Sequence, residues 1–215
     1  MPASPAQRKK QIGQIIKALE KLYPSPKCAL DFKTPFELLV ATVLSAQSTD
    51  VQVNKLTATL FNKYRSIKDY AEAPLEELQA DVARVNFYKN KAANIQKSAR
   101  LVLDNFGGKV PKSMEELITL PGVARKTANI ILSSAYGIIE GIAVDTHVLR
   151  LSARLGLSEH ADPVKVERDL MEATPKERWA DLSHLLILHG RAVCNARKPL
   201  HGQCVLFKIC PSTRI

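Results

Sequence analysis

Apolar residues recur every three or four positions along most of the chain. Ile12, Ile15, Ile16, Leu19 and Leu22 make one stripe, and Phe36, Leu39, Val40, Val43 and Leu44 make another. That spacing puts side chains on a single face of an α-helix. No segment alternates with a period of two for long enough to argue for a sheet. Start signals accompany the stripes: Thr34, Ser113 and Thr174 are each followed three residues later by Glu37, Glu116 and Glu177, the pattern in which side chain and backbone cap one another reciprocally. Pro35 and Pro175 then occupy the first helical position, where the missing amide costs nothing. Asp162-Pro163 opens another helix in the same way. Breaks fall at positions 23–26, 105–108 and 137–141 and at Gly156. The pattern predicts an all-α chain of about ten helices, with no low-complexity linker and no repeat.

Composition adds a partner class. The 215 residues are 46% hydrophobic and 24% charged, an ordinary globular balance. Against 21 Asp and Glu stand 31 Lys and Arg, a net charge of +10, which favours a polyanionic partner but also suits a ribosomal or membrane-surface protein. No apolar run approaches membrane-spanning length. Gln14, Lys17, Glu20 and Lys21 interrupt the only apolar stretch near the start, so no signal peptide is expected. Three of the four cysteines crowd between positions 194 and 210, which points to metal ligation in a reducing, intracellular compartment rather than to disulfides.

The candidate chemistry begins at Leu120-Pro121-Gly122-Val123-Ala124-Arg125-Lys126-Thr127. This run follows a capped helix expected over 113–119 and precedes an apolar one over 130–136. Pro121 and Gly122 force a tight reversal, so the amides of the next helix's first turn have no intrahelical partner and are ready to bind a phosphate. An isolated Pro-Gly is better read as a plain αα-hairpin. Two cations on this hairpin, in a basic chain, shift the balance toward contact with a DNA backbone.

Further motifs join the hairpin: Thr34-Pro35-Phe36-Glu37-Leu38-Leu39, Leu44-Ser45-Ala46-Gln47-Ser48-Thr49-Asp50, Val144-Asp145-Thr146-His147-Val148 and Leu186-Ile187-Leu188-His189-Gly190-Arg191. Together they resemble the helix-hairpin-helix DNA glycosylase superfamily over nearly the whole chain, and within it the endonuclease III family closely. The resemblance implies two all-α domains: a six-helix barrel over 28–138 carrying the hairpin, and a discontinuous domain of 1–27 and 139–215 with a metal-cluster loop at 194–210. It also implies a bifunctional glycosylase and abasic-site lyase that removes oxidised pyrimidines from damaged duplex DNA, working as a monomer off the membrane and inside the cell, in the cytoplasm or nucleoid if the source is bacterial. One departure is Ala124, where the family usually has glycine.

Cleaving an N-glycosidic bond requires a nucleophile at C1′ and a carboxylate that activates it and stabilises the oxocarbenium-like charge. By resemblance these are Lys126 and Asp145. Alone, Asp145 reads as a helix N-cap and Lys126 as a phosphate anchor; the two motifs together favour catalysis. A target base must be extruded from the duplex. The resemblance assigns the resulting gap to Gln47 and a wedge between bases to Phe87, although leucine is more usual at the latter position and Asn86 replaces a common glycine. A core aromatic and a helix-terminal polar residue are the plain readings of Phe87 and Gln47. Gly122, Ala124 and Arg125 are the hairpin's DNA contacts. Asp50 lines the base pocket in the family pattern, or caps the helix carrying Val51, Val53 and Leu56. His147 and His189 read as structural.

The tail places Cys194, His201, Cys204 and Cys210 where the family has four cysteines holding a [4Fe-4S] cluster. Histidine stands in for cysteine in some iron-sulfur centres, so a cluster on three cysteines and His201 is expected. Zinc on the same ligands and no metal at all are the alternatives. Cys28 reads as a buried free thiol. In the family the metal holds a loop whose cations meet DNA, here Arg197 and Lys198. Two rival functions remain: a monofunctional mismatch-specific glycosylase, which generally lacks the hairpin lysine, and a non-enzymatic DNA-binding module that uses the hairpin for phosphates only.

Overall fold

The structure is a computed structural model that describes residues 5–214, with side chains described for 6–212. Its helices are α1 (Pro5–Glu20), α2 (Pro35–Ser45), α3 (Asp50–Lys63), α4 (Ile67–Glu72), α5 (Leu75–Asp81), α6 (Tyr88–Phe106), α7 (Met114–Leu117), α8 (Arg125–Tyr136), α9 (Thr146–Arg154), α10 (Pro163–Ala173) and α11 (Trp179–Ala192), with three short 3-10 turns. No strand occurs among the described residues. The all-α expectation therefore holds. No described helix is long and apolar enough to cross a membrane.

The chain divides into two compact units, one of residues 28–138 and the other of 1–27 with 139–215. In the first, α2 is buried on nearly every side, with Leu38, Leu39, Val40, Ala41 and Leu44 fully enclosed. Around it close Val53 and Leu60 of α3, Leu78 of α5, Ala92, Ile95 and Ala99 of α6, and Ala128, Ile131 and Leu132 of α8. In the second, the predicted stripe Ile12, Ile15, Ile16 and Leu19 packs with Val148, Leu151, Val166, Leu170, Leu182 and Leu186. Leu22, the last position of that stripe, lies beyond α1 and is 46% exposed.

Thr34, Ser113 and Asp162 cap helices as predicted, and Thr174 does not. Thr34 makes a full capping box with Glu37, and Pro35 sits at the first helical position. Ser113 accepts from the Glu116 amide, and Asp162 from that of Lys165 ahead of Pro163. Thr174 does not open a helix with Glu177. It closes α10 instead, while Pro175 precedes a 3-10 turn, Lys176–Arg178, before α11 begins at Trp179. The indole of Trp179 donates to the Thr174 carbonyl at 2.8 Å, the acceptor an α-turn from Thr174 would use, and the Arg178 amide bonds the Pro175 carbonyl instead at 2.9 Å. At α3 the cap is Thr49, whose side chain accepts from Gln52. Asp50 is the first helical residue and not the cap, a position where its charge favours the dipole.

Candidate active site

The hairpin reverses the chain between α7 and α8. The capped helix before it is shorter than expected, four residues only, and the one after it begins earlier, at Arg125. Leu120 and Val123 point into the core at 1% and 5% exposure, so the loop between them is pinned at both ends. Gly122 sits at φ +82°, and a Cβ there would stand 3.2 Å from Asn94 Nδ2, so a side chain would be strained by the backbone conformation and crowded against Asn94. Ser98 Oγ on α6 donates to the Pro121 carbonyl at 3.0 Å, fixing the turn from behind.

Ala124 is the N-cap residue of α8 at φ −89°, ψ 169°. Any residue adopts that conformation, so alanine in place of the family's glycine brings no strain. It has no side chain to cap with, and the first backbone bond runs from the Ala128 amide to the Ala124 carbonyl at 3.0 Å. The amides of Lys126 and Thr127 are left without intrahelical acceptors, as a phosphate-binding turn requires. Arg125 and Lys126 are both exposed. Among the described residues, Lys126 makes no side-chain hydrogen bond and no ion pair.

Asp145, in the other unit, is the N-cap of α9 at φ −99°, ψ −175°. Its Oδ1 accepts from the amides of both His147 and Val148 at 2.8 Å. Among the described residues Oδ2 accepts no hydrogen bond. The capping and catalytic readings of Asp145 therefore need not compete, since one oxygen orients the carboxylate and the other is available. His147 follows it, with Nδ1 3.1 Å from Arg150 Nη2, and burial pushes the imidazole's pKa down.

Gln47 and Phe87 stand at turns in the first unit. They are the two non-glycine residues with positive φ among the described residues, at +56° and +57°. Such a conformation costs about 1–3 kcal/mol each. Phe87 is 63% exposed at the start of α6, so it is no core aromatic. Gln47 lies just past the C-cap of α2 and is also exposed. Sequence reasoning missed what holds them. Lys91, only 6% exposed, donates to the carbonyls of Leu44 and Ala46 at 2.8 and 2.6 Å, and burial pushes its pKa down. The one available signal was a lysine on the otherwise small and apolar face made by Ala92, Ile95 and Ala99.

In the tail, Cys194, His201, Cys204 and Cys210 all line one cavity of about 290 Å³, with Arg154 and Leu200. Burial pushes the Cys204 thiol up, and the neighbouring Cys194 and Cys210 add to the rise. Among the described residues no three Cys, His, Asp or Glu side chains converge closely enough for a single metal ion. Arg154 Nη1 donates to Cys194 Sγ at 3.2 Å and to the Asn195 carbonyl at 2.8 Å, a pair of contacts that sequence reasoning did not anticipate. His201 is exposed at the rim, edge-on to Phe207. A second imidazole is closer in: His189 is 1% exposed, with Nε2 3.4 Å from Cys204 Sγ. Cys28 belongs to the other unit, half-buried against its apolar cluster. Arg197 and Lys198 are exposed on the same loop as Cys194.

Residues 40–176 match the model of the HhH-GPD superfamily of base excision DNA repair proteins. Endonuclease III of Synechocystis is 50% identical over 97% of this chain and 95% of its own, and that of Bacillus subtilis 46% over 94% and 92%. The chain belongs to the endonuclease III family. A solved endonuclease III, trapped as a covalent intermediate with DNA, superposes with a TM-score of 0.91 at 45% identity, covering 96% of this chain and 97% of that one. As a member of the endonuclease III family, the chain is a base excision repair enzyme with the two-domain helical glycosylase fold.

Proposed function

We propose that this enzyme is a bifunctional DNA glycosylase and abasic-site lyase acting on oxidised pyrimidines in damaged duplex DNA, as a monomer. The observation that carries the proposal is the Lys126 amine, exposed on the first turn of α8 and unpartnered among the described residues. Support comes from the second oxygen of Asp145, which its capping bonds leave available.

The amine, in its neutral form, attacks C1′ as the C1′–N bond to the base breaks, and the base leaves with the bonding pair as an anion that takes a proton from water. Asp145 Oδ2 accepts the amine's proton and stabilises the positive charge that develops on the sugar. The sugar ring opens to an imine on Lys126. Loss of a C2′ proton then expels the 3′ phosphate, and hydrolysis returns the lysine. Gly122, Ala124 and Arg125 hold the backbone through phosphate contacts. Gln47 occupies the place of the extruded nucleotide and Phe87 wedges between bases. Cys194, His201, Cys204 and Cys210 would hold a [4Fe-4S] cluster that fixes the loop presenting Arg197 and Lys198 to DNA, a structural role.

A duplex with a single thymine glycol tests this. Wild-type protein should release the base and leave a strand ending in a 3′ unsaturated aldehyde. Asp145→Asn should lower the rate about 10²- to 10⁴-fold while keeping its melting temperature, because the amide oxygen still caps α9. A strand left intact by wild-type protein rules the proposal out.

A further inference from the structure

Two separate loops carry the residues assigned to enter DNA, the α2–α3 turn with Gln47 and the α5–α6 turn with Phe87. Both residues are held in left-handed conformations that side chains rarely adopt, and such conformations persist only where the surroundings over-determine them. Here the surroundings are side chains of one loop bonded to carbonyls of the other. Asn86 Nδ2, beside Phe87, donates to the Gln47 carbonyl at 2.8 Å. Gln52, in the first turn of α3, donates back to the carbonyl of Arg84. Lys91 joins the two by itself. Its backbone amide makes the bond to the Phe87 carbonyl at 3.1 Å, while its buried ammonium holds the last carbonyls of α2, those of Leu44 and Ala46.

We propose that Asn86 and Lys91 are positioning residues that clasp the Gln47 and Phe87 turns into one preformed unit for entering the duplex. This rests on the roles given above to Gln47 and Phe87. A helix normally leaves its last carbonyls to water or to a glycine cap. A buried ammonium does that work here and frees the following position for glutamine, a side chain able to fill a gap. Asn86 matters for the same reason. The glycine that commonly stands at its position in the family has no side chain to reach the Gln47 carbonyl. Ordering both turns before DNA arrives lowers the entropy lost when they enter it.

The readout that a merely structural role would not move is the ratio of two rates, strand cleavage at a thymine glycol in duplex DNA and at an abasic site in a single strand, where no base needs extruding. Asn86→Ala removes one exposed hydrogen bond and should lower that ratio about tenfold, or about 1.4 kcal/mol. It should also slow the fluorescence rise of 2-aminopurine placed opposite the lesion. Lys91→Met should lower the ratio further, with its melting curve recorded alongside; should it fail to fold, Asn86→Ala decides alone. An Asn86→Ala ratio within about twofold of wild type, with wild-type protein active on both substrates, overturns the clasp and leaves the functional reading intact. Wild-type protein inactive on both overturns the functional reading itself.

Discussion

The hairpin's two small positions differ in what they demand. Gly122 is held at φ +82° with Asn94 packed where a side chain would begin, so Gly122→Ala should destabilise the fold by about 1–2 kcal/mol, visible as a lower melting temperature and weaker DNA binding. Ala124, at φ −89°, tolerates its methyl group without cost. Sequence could name both positions because Pro-Gly ahead of a helix is a turn signal with a mechanism. It could not tell that only the first requires glycine, since backbone angles depend on what packs behind the turn. Asp145 was legible twice over, as a cap and as a family carboxylate, and the structure puts both capping bonds on Oδ1, which leaves Oδ2 for the proposed role. Lys91 was legible only as an oddity. A lysine on a small-residue helix face reads as a solvated edge until the end of α2 is seen lying over it.

At the scale of elements, the apolar stripes identified α1 and α2 because both helices bury a face made of local, periodic positions. Capping signals placed α2 and α10 correctly at their starts. The failure at Thr174 has a local cause, because after the same Thr-Pro-x-Glu pattern that opens α2 the indole of Trp179, five residues on, claims the Thr174 carbonyl that an α-helical amide would otherwise take, and the turn is 3-10. The metal loop shows the opposite balance. Its ligand spacing was plain in the sequence, yet the supporting bonds come from Arg154, forty residues earlier than Cys194. The arrangement of Cys194, His201, Cys204 and Cys210 around one cavity leads to the expectation that purified protein contains iron and acid-labile sulfide and shows the broad visible absorption of a cluster. Stoichiometric zinc with neither iron nor sulfide contradicts that assignment.

For the whole molecule, the surplus of ten positive charges accounts for attraction to a polyanion but not for what is done to it. Sequence and structure reach the activity from different sides. Motif identity supplied the lysine and the carboxylate, because each lies in a short contiguous run. The structure supplied the conformations that make those runs useful: a helix start without a side-chain cap at Ala124, a carboxylate oriented through one oxygen, and two strained turns tied together. The proposed lyase chemistry depends on Lys126 acting as a nucleophile rather than as a phosphate anchor. Borohydride reduction during turnover on abasic duplex DNA tests that directly, because it converts the lysine imine into a stable amine. Wild-type protein should become covalently attached to DNA and migrate as a complex in a denaturing gel, and Lys126→Gln should not. Active wild-type protein that gives no adduct, or Lys126→Gln that still gives one, contradicts the account.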